Sequence, residues 1–192
     1  ASATFSDAVT SNVVLKSATS TDGTAKVTFN TGGTDDIDGD IVSLDASGTD
    51  LDGNTSVVVK GGSTAVTVTG NVGSTAETSI TSEGTAGAVG DLIVENNAAL
   101  TVTGDVNAGV IGLDTSGSAS ADATFKGNVD AGILVFEENS GTGTVTFDGT
   151  SPQTIDTDLV ATNTANQGDI VVDGSDADVT FNGTIGSTDV NF

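Results

Sequence analysis

Cysteine, histidine, methionine, tryptophan, tyrosine and arginine are all missing from this 192-residue chain, and proline occurs once. Without cysteine there is no disulfide framework and no thiolate metal site. Without cysteine or histidine there is no conventional nucleophile–base pair. With no arginine and only four dispersed lysines (Lys16, Lys26, Lys60 and Lys126), no basic patch exists for a phosphate backbone, so nucleic-acid binding is excluded. The same scarcity disfavours anionic membrane surfaces, and no apolar run is long enough to span a bilayer. Paired carboxylates such as Asp35-Asp36 or Glu137-Glu138 are adjacent on a strand and point to opposite faces, so they cannot flank one glycosidic bond. No tryptophan or tyrosine is present to stack a sugar ring. The expectation is a protein that is not an enzyme.

What is abundant is acid and glycine: 27 Asp plus Glu give a net charge of −23, and there are 26 Gly. Threonine, valine, serine and aspartate are poor helix formers. Apolar residues alternate at period two between Gly, Asp, Asn and Ser turns, which predicts short strands. One phrase recurs as ATFSDAV, VTFNTGGTDDI, VTVTGNV, LTVTGDV, ATFKGNV, VTFDGTSPQTI and VTFNGTI. Its anchors are Phe5, Phe29, Val68, Val102, Phe125, Phe147 and Phe181, spaced by 22 to 39 residues. Four residues after each anchor, or eight in two copies, comes Val or Ile. A second strand follows, as in VNAGVIGLD (from Val106), VDAGILVFE (from Val129) and IDGDIVSLD (from Ile37). Its inward pairs are expected at Val42/Leu44, Ile111/Leu113, Leu134/Phe136 and Val190/Phe192. The longer spacings hold a third strand: TSVVVKGG, GDLIVENN and GDIVVDGS.

Recurrence at this period marks a solenoid, in which one turn cannot bury its apolar side but stacked turns can. The predicted fold is all-β: a parallel β-helix forming one domain over residues 1–192 in seven imperfect repeats. The anchor phenylalanines would make an internal ladder. The competing architecture is an antiparallel β-sandwich, which also alternates; the matching offset between first and second strands favours the solenoid. Thr-Phe-x-Gly-x-Val followed by Ala-Gly-Ile-Leu, in a Gly/Thr/Asp/Asn-rich chain without cysteine, resembles the β-strand repeats of bacterial surface proteins. These are autotransporter passengers, adhesins and surface-layer proteins, whose repeats form right-handed parallel β-helices. The resemblance implies a structural role and transfers no site residue.

Two stretches, DDIDGD and DLDGN, match the first half of a calcium loop, with alternate oxygens around a sharp glycine turn. They nominate Asp36, Asp38, Asp40, Asp50, Asp52 and Asn54 as ligands for Ca2+. Ser47 and Gly61, however, stand where the loop's bidentate glutamate belongs, so solvated acidic turns are the competing reading. Asp173, Asp176 and Asp178 form a weaker match. Diffuse divalent counter-ions on so acidic a surface would relieve self-repulsion. Asn54-Thr-Ser and Asn182-Gly-Thr fit the glycosylation acceptor pattern at a frequency that chance supplies. The opening ASATFSD has neither a basic start nor an apolar core and fits a mature end left after signal cleavage.

Solenoid ends expose an unpaired strand edge and a slice of core. Neither ATFSDAV nor STDVNF reads as a cap. Assembly contacts are therefore expected at Phe5, Val9, Val190 and Phe192, with copies of the chain itself as partner. Function is expected to be that of a secreted, self-assembling subunit of a filament or surface layer on a bacterium or archaeon. The alternative is an adhesin passenger binding a cell-surface glycan or host ligand through loops such as Glu77 to Val89 or Ser116 to Ala121. A glycan-cleaving enzyme ranks third.

Overall fold

The computed structural model describes residues 1–17, 25–30, 36–45, 55–62, 65–73, 78–79, 85–87, 89–115, 119–138, 141–162, 168–174 and 178–186. The described chain is a parallel β-solenoid with three faces, and the sandwich alternative is excluded by the pairing. The first face stacks β1 (Ser2–Phe5), β3 (Ala25–Asn30), β6 (Thr55–Lys60) and β10 (Val89–Glu95). It continues through the C-terminal halves of β12 (Val106–Thr115), β14 (Val129–Glu138) and β16 (Gln153–Ala161). The second face stacks β4 (Asp36–Ile37), β7 (Val66–Val68), β11 (Ala98–Val102), β13 (Ser120–Phe125), β15 (Thr142–Phe147) and β17 (Gly168–Val172). The third face begins with β2 (Val13–Ser17) and β5 (Ile41–Asp45), passes through the isolated bridge residue Val72, and ends on β18 (Val179–Phe181). Between Val72 and β18 it is built by the N-terminal halves of β12, β14 and β16. Among the described residues every pairing between turns is parallel outside one excursion. The antiparallel pairs are β8 (Thr78–Ser79) with β9 (Thr85–Gly87), and β9 with β5, an excursion inserted between Val72 and β10.

Burial parity shows how the long strands change face. In β12 the inward residues are Val106 and Ala108, then Ile111 and Leu113; in β14 they are Val129 and Ala131, then Leu134 and Phe136. The alternation slips by one at Gly109 and Gly132, where the ladder is interrupted and the chain turns a corner. β16 makes the same turn with one residue fewer, which produces the register shift between Asp130 and Ile133.

The inward columns fill a continuous apolar interior. One runs Ala3, Val27, Val57, Leu92, Ile111, Leu134, Leu159 and Ile185. A second runs Phe5, Phe29, Val59, Val94, Leu113, Phe136 and Ala161. Side chains such as Leu92, Leu134, Phe125 and Phe147 are fully buried, each contributing roughly 1.5–3 kcal/mol. Gln153 also lies inside, and all its amide atoms are used. Gly149 N–H donates to its Oε1 (2.8 Å), and its Nε2 donates to Phe125 O (3.0 Å) and Gly127 O (2.7 Å). This side chain fills the corner that the DGTSPQT excursion widens.

The register corrects part of the repeat expected from sequence. Val68, Val102, Phe125 and Phe147 share a column, as the phrase predicts, and Ile111/Leu113 align with Leu134/Phe136. That anchor column, however, continues to Ile37 and Val9 in one direction and to Val172 in the other. Its members Val9, Ile37, Val68, Val102, Phe125, Phe147 and Val172 are 28, 31, 34, 23, 22 and 25 residues apart, more even than the predicted set. Phe5 and Phe29 belong to the first face, and Phe181 pairs with Ile155 on the third. Val42 pairs with Val14 on the third face, away from Ile111. TSVVVK and GDLIVE pair with each other on the first face, whereas GDIVV lies on the second. Five of the described phenylalanines therefore fall into two groups. Phe5 stacks on Phe29 with ring centroids 5.6 Å apart, and Phe147 meets Phe125 at 6.2 Å and Phe181 edge-on at 5.4 Å. The physical reason is that every face needs inward apolar residues at period two. Val-Thr-Phe satisfies any of the three, so the phrase does not report which face it occupies.

Candidate functional site

Two features stand out: the corner between the second and third faces, and the two end turns. At the corner the chain repeats Gly-[Asn/Asp]-[Val/Ile] as Gly39-Asp40-Ile41, Gly70-Asn71-Val72, Gly104-Asp105-Val106 and Gly127-Asn128-Val129, with Ser11-Asn12-Val13 on the first turn. Each Asn or Asp side chain accepts a hydrogen bond from the backbone N–H of its counterpart one turn on. Asp40 N–H donates to Asn12 Oδ1 (3.0 Å), Asn71 N–H to Asp40 Oδ1 (2.7 Å) and Asp105 N–H to Asn71 Oδ1 (2.7 Å). Asn128 N–H then donates to Asp105 Oδ1 (2.7 Å), and Thr154 N–H to Asn128 Oδ1 (2.9 Å). The column alternates Asn, Asp, Asn, Asp, Asn, so no two carboxylates are neighbours one turn apart. Bonds to ionised acceptors are the stronger kind, and the alternation keeps them free of like-charge repulsion.

The glycines before this column are set by close approach. A Cβ on Gly70 would lie 2.6 Å from Gly39 O, and one on Gly104 would lie 2.6 Å from Gly70 O. On Gly127 it would collide with Gly104 O. Glycine thus stacks on glycine, and the turns sit too close for any side chain at this corner. None of these three has a left-handed φ, so these positions use the glycine's lack of a side chain and not its conformational freedom.

The calcium candidates fall partly on this column. Asp40 Oδ1 also accepts from Asn71 Nδ2 (3.3 Å), and Asp38 Oδ1 accepts from Thr69 Oγ1 (3.1 Å). Asp36 is exposed in β4, beside Thr67, with the buried Ile37 following it. Asp38 and Asp40 thus serve contacts between turns, and Asp36 lies on the outer face. Asp50, Asp52 and Asn54 lie outside the described residues. Among the described residues no group of three or more His, Cys, Asp or Glu is placed to hold a metal ion. On the outer surface Glu95, Asp114 and Glu137 stand in register on successive turns. Lys60 pairs with Glu95 (3.4 Å), and Lys126 with Asp148 (3.3 Å). Asp91, flanked in register by Ser56 and Val110, has its carboxyl pKa raised by burial.

The end turns carry the expected assembly residues. Phe5 and Val9 are half-buried against the core, Phe5 on Phe29 and Val9 bridged to Ile37. Val190 and Phe192 lie outside the described residues. On the last described turn the exposed large apolar residues are Val171 (38 %), Val172 (52 %) and Ile185 (49 %), beside the half-buried Ile170, Val179 and Phe181. Sequence reasoning missed Val172 because it placed the seventh anchor at Phe181. It missed the Asn/Asp column because the acids were weighed as ligands, although Gly-[Asn/Asp]-[Val/Ile] was there to be read. Most of the loop candidates 77–89 and 116–121 are also outside the described residues. No described helix is long and apolar enough to cross a membrane. No family model, curated protein or solved structure matches the chain. The described residues form a three-faced, sequentially repeating parallel β-solenoid, an architecture compatible with a structural, self-assembling scaffold.

Proposed function

We propose that this chain is a structural subunit of a secreted filament or surface layer, on a bacterial or archaeal cell, built by end-to-end stacking of copies. The carrying observation is the half-exposed apolar slice at each end turn, Phe5 and Val9 at one and Val172, Phe181 and Ile185 at the other. Among the described residues β1, β2, β17 and β18 each pair on one side only, and such edges template further pairing. Stacking the first turn of one copy on the last turn of another continues all three faces. Ala3 then follows Ile185, Val9 follows Val172 and Val13 follows Phe181 in their inward columns. Such a contact is head-to-tail and does not close, so it propagates. Covering about five half-exposed side chains contributes roughly 5 kcal/mol, near the low end of the 4–15 kcal/mol that association costs. Apolar burial therefore only offsets that cost, and backbone pairing along the faces has to supply the surplus. The scaffold performs no catalysis and requires no cofactor. Calcium, where present, acts as a counter-ion to the acidic surface.

Electron microscopy and sedimentation of residues 1–192, with and without a chelator, test the proposal. Ordered fibres or sheets are expected from the wild type, and folded monomers from Val9→Asp and Val172→Asp. A wild type that stays monomeric at millimolar concentration overturns it. Retained capture of a surface glycan by those monomers would favour the adhesin alternative.

A further inference from the structure

The four lysines are unevenly placed along the solenoid axis. Residues 1–30 contain Lys16, Lys26, Asp7 and Asp22 and carry no net charge. Residues 141–192 contain eight aspartates and no lysine, a net charge of −8. Sequence order is also axial order, because each face stacks its strands in chain sequence outside the β8–β9 excursion. Lys16 lies in β2 on the first turn, and Lys26 stands in register beside the short Ser2. At the opposite end Asp169, Asp173 and Asp178 are exposed on or beside the last described turn, with Asp156 one turn further in.

We infer that this axial polarity orients the partner: a second copy presents its lysine-bearing first turn to the aspartate-rich last turn of its neighbour. The inference rests on the end-to-end assembly proposed above and adds the electrostatic cause of its head-to-tail direction. Two acidic ends repel one another, and two near-neutral ends gain nothing electrostatically. The contact between unlike ends is therefore favoured, and the resulting polymer is polar. Charges across the joint lie within a Debye length of about 8 Å and escape most screening, whereas those several turns away do not. Complementary ends of this kind select orientation and register more than raw affinity. The closed two-fold dimer, in which like ends meet, is the alternative that the charge distribution suppresses.

Charge reversal at the ends, compared with charge reversal in the middle, tests the inference. Lys16→Glu/Lys26→Glu alters the neutral end. Lys60→Glu/Lys126→Glu changes the net charge by the same amount but touches only mid-solenoid pairs. Circular dichroism checks that each variant is folded, and sedimentation gives the critical concentration for assembly. The end variant is expected to raise it by about tenfold, because it adds four negative charges to the end that faces the aspartates. The middle variant should assemble like the wild type. Adding Asp156→Lys, Asp169→Lys, Asp173→Lys and Asp178→Lys to the end variant brings the last end from −8 to 0 against a first end now at −4, which reverses the polarity and should restore assembly. Equal effects from the end and middle variants, or no rescue, overturn the directional inference while leaving end-to-end assembly standing. A wild type that forms no polymer overturns both.

Discussion

Replacing Gly104 by alanine tests whether the corner glycines are demanded by close stacking. Gly104 has no left-handed φ, so its backbone conformation is open to alanine. On conformational grounds alone, Gly→Ala at such a site stabilises by about 0.4–1 kcal/mol by restricting the unfolded chain. The geometry predicts the opposite sign. The new Cβ would lie 2.6 Å from Gly70 O and 2.7 Å from Gly70 C, whereas real Cβ contacts essentially never fall under 3.0 Å. Asn71 Oδ1 obstructs it as well, at 2.5 Å; the two Gly70 atoms are backbone, so the turns must part by about 0.4 Å. The Gly104 N–H to Gly70 O bond, already 3.1 Å, would stretch to the limit of a hydrogen bond, and the 2.7 Å bond from Asp105 N–H to Asn71 Oδ1 would be strained with it. Overpacking costs roughly 1–3 kcal/mol and each weakened bond up to about 1 kcal/mol. Set against the entropic gain, the net is a destabilisation of about 2 kcal/mol, or roughly 4–8 °C in Tm for a chain of this size. Gly112→Ala is the matched control, because its Cβ meets only the tip of the Ile93 side chain, Cδ1 at 2.9 Å, which can swing away. Differential scanning calorimetry of the three proteins decides the question. A Tm for Gly104→Ala equal to or above that of the wild type refutes the stacking argument, and so does an equal loss from Gly112→Ala.

Gln153→Ala should lower stability by about 2 kcal/mol, since it strands Gly149 N–H and Gly127 O, whereas Phe125 O keeps its bond from Asp148 N–H (3.0 Å); the midpoint of urea unfolding measures this, and a loss under about 0.5 kcal/mol would show that other groups satisfy those atoms. Asp91→Asn should raise Tm at neutral pH. A carboxyl whose folded pKa is raised disfavours the fold while it is charged, and that penalty disappears as pH falls through the raised folded pKa and then the unfolded value of 3.8. The gap between variant and wild type should therefore narrow on acidification; a gap that is constant or widens would contradict burial as the cause.

How much was legible beforehand differs between the features. Absent residue types and period-two alternation led to short parallel strands without any coordinates, and the offset from Val102 to Ile111 matched that from Phe125 to Leu134. Both offsets are nine residues, because these two turns lack insertions. Phe29 was misplaced because the connection that follows it is longer and its phrase suits any inward column. The Asp-rich stretch at 35–40 looked like a half-built cation loop, since alternating carboxylates around a glycine are common to calcium loops and stacked corners. The corner role is visible only where a neighbouring turn supplies Asn71 N–H to Asp40, a contact 31 residues away in the chain.

Local chemistry by itself determined that the described residues form strands and turns, that the sequence repeats, that it is acidic except near its start, and that it offers no familiar catalytic pair. These properties depend on side-chain type and period alone. Which residues share a column, why glycine recurs at the corner, and which apolar side chains stand half-bare at the end turns were decided only by the stacking of turns. The three faces impose the same alternation on the sequence, so only long-range backbone hydrogen bonds distinguish them.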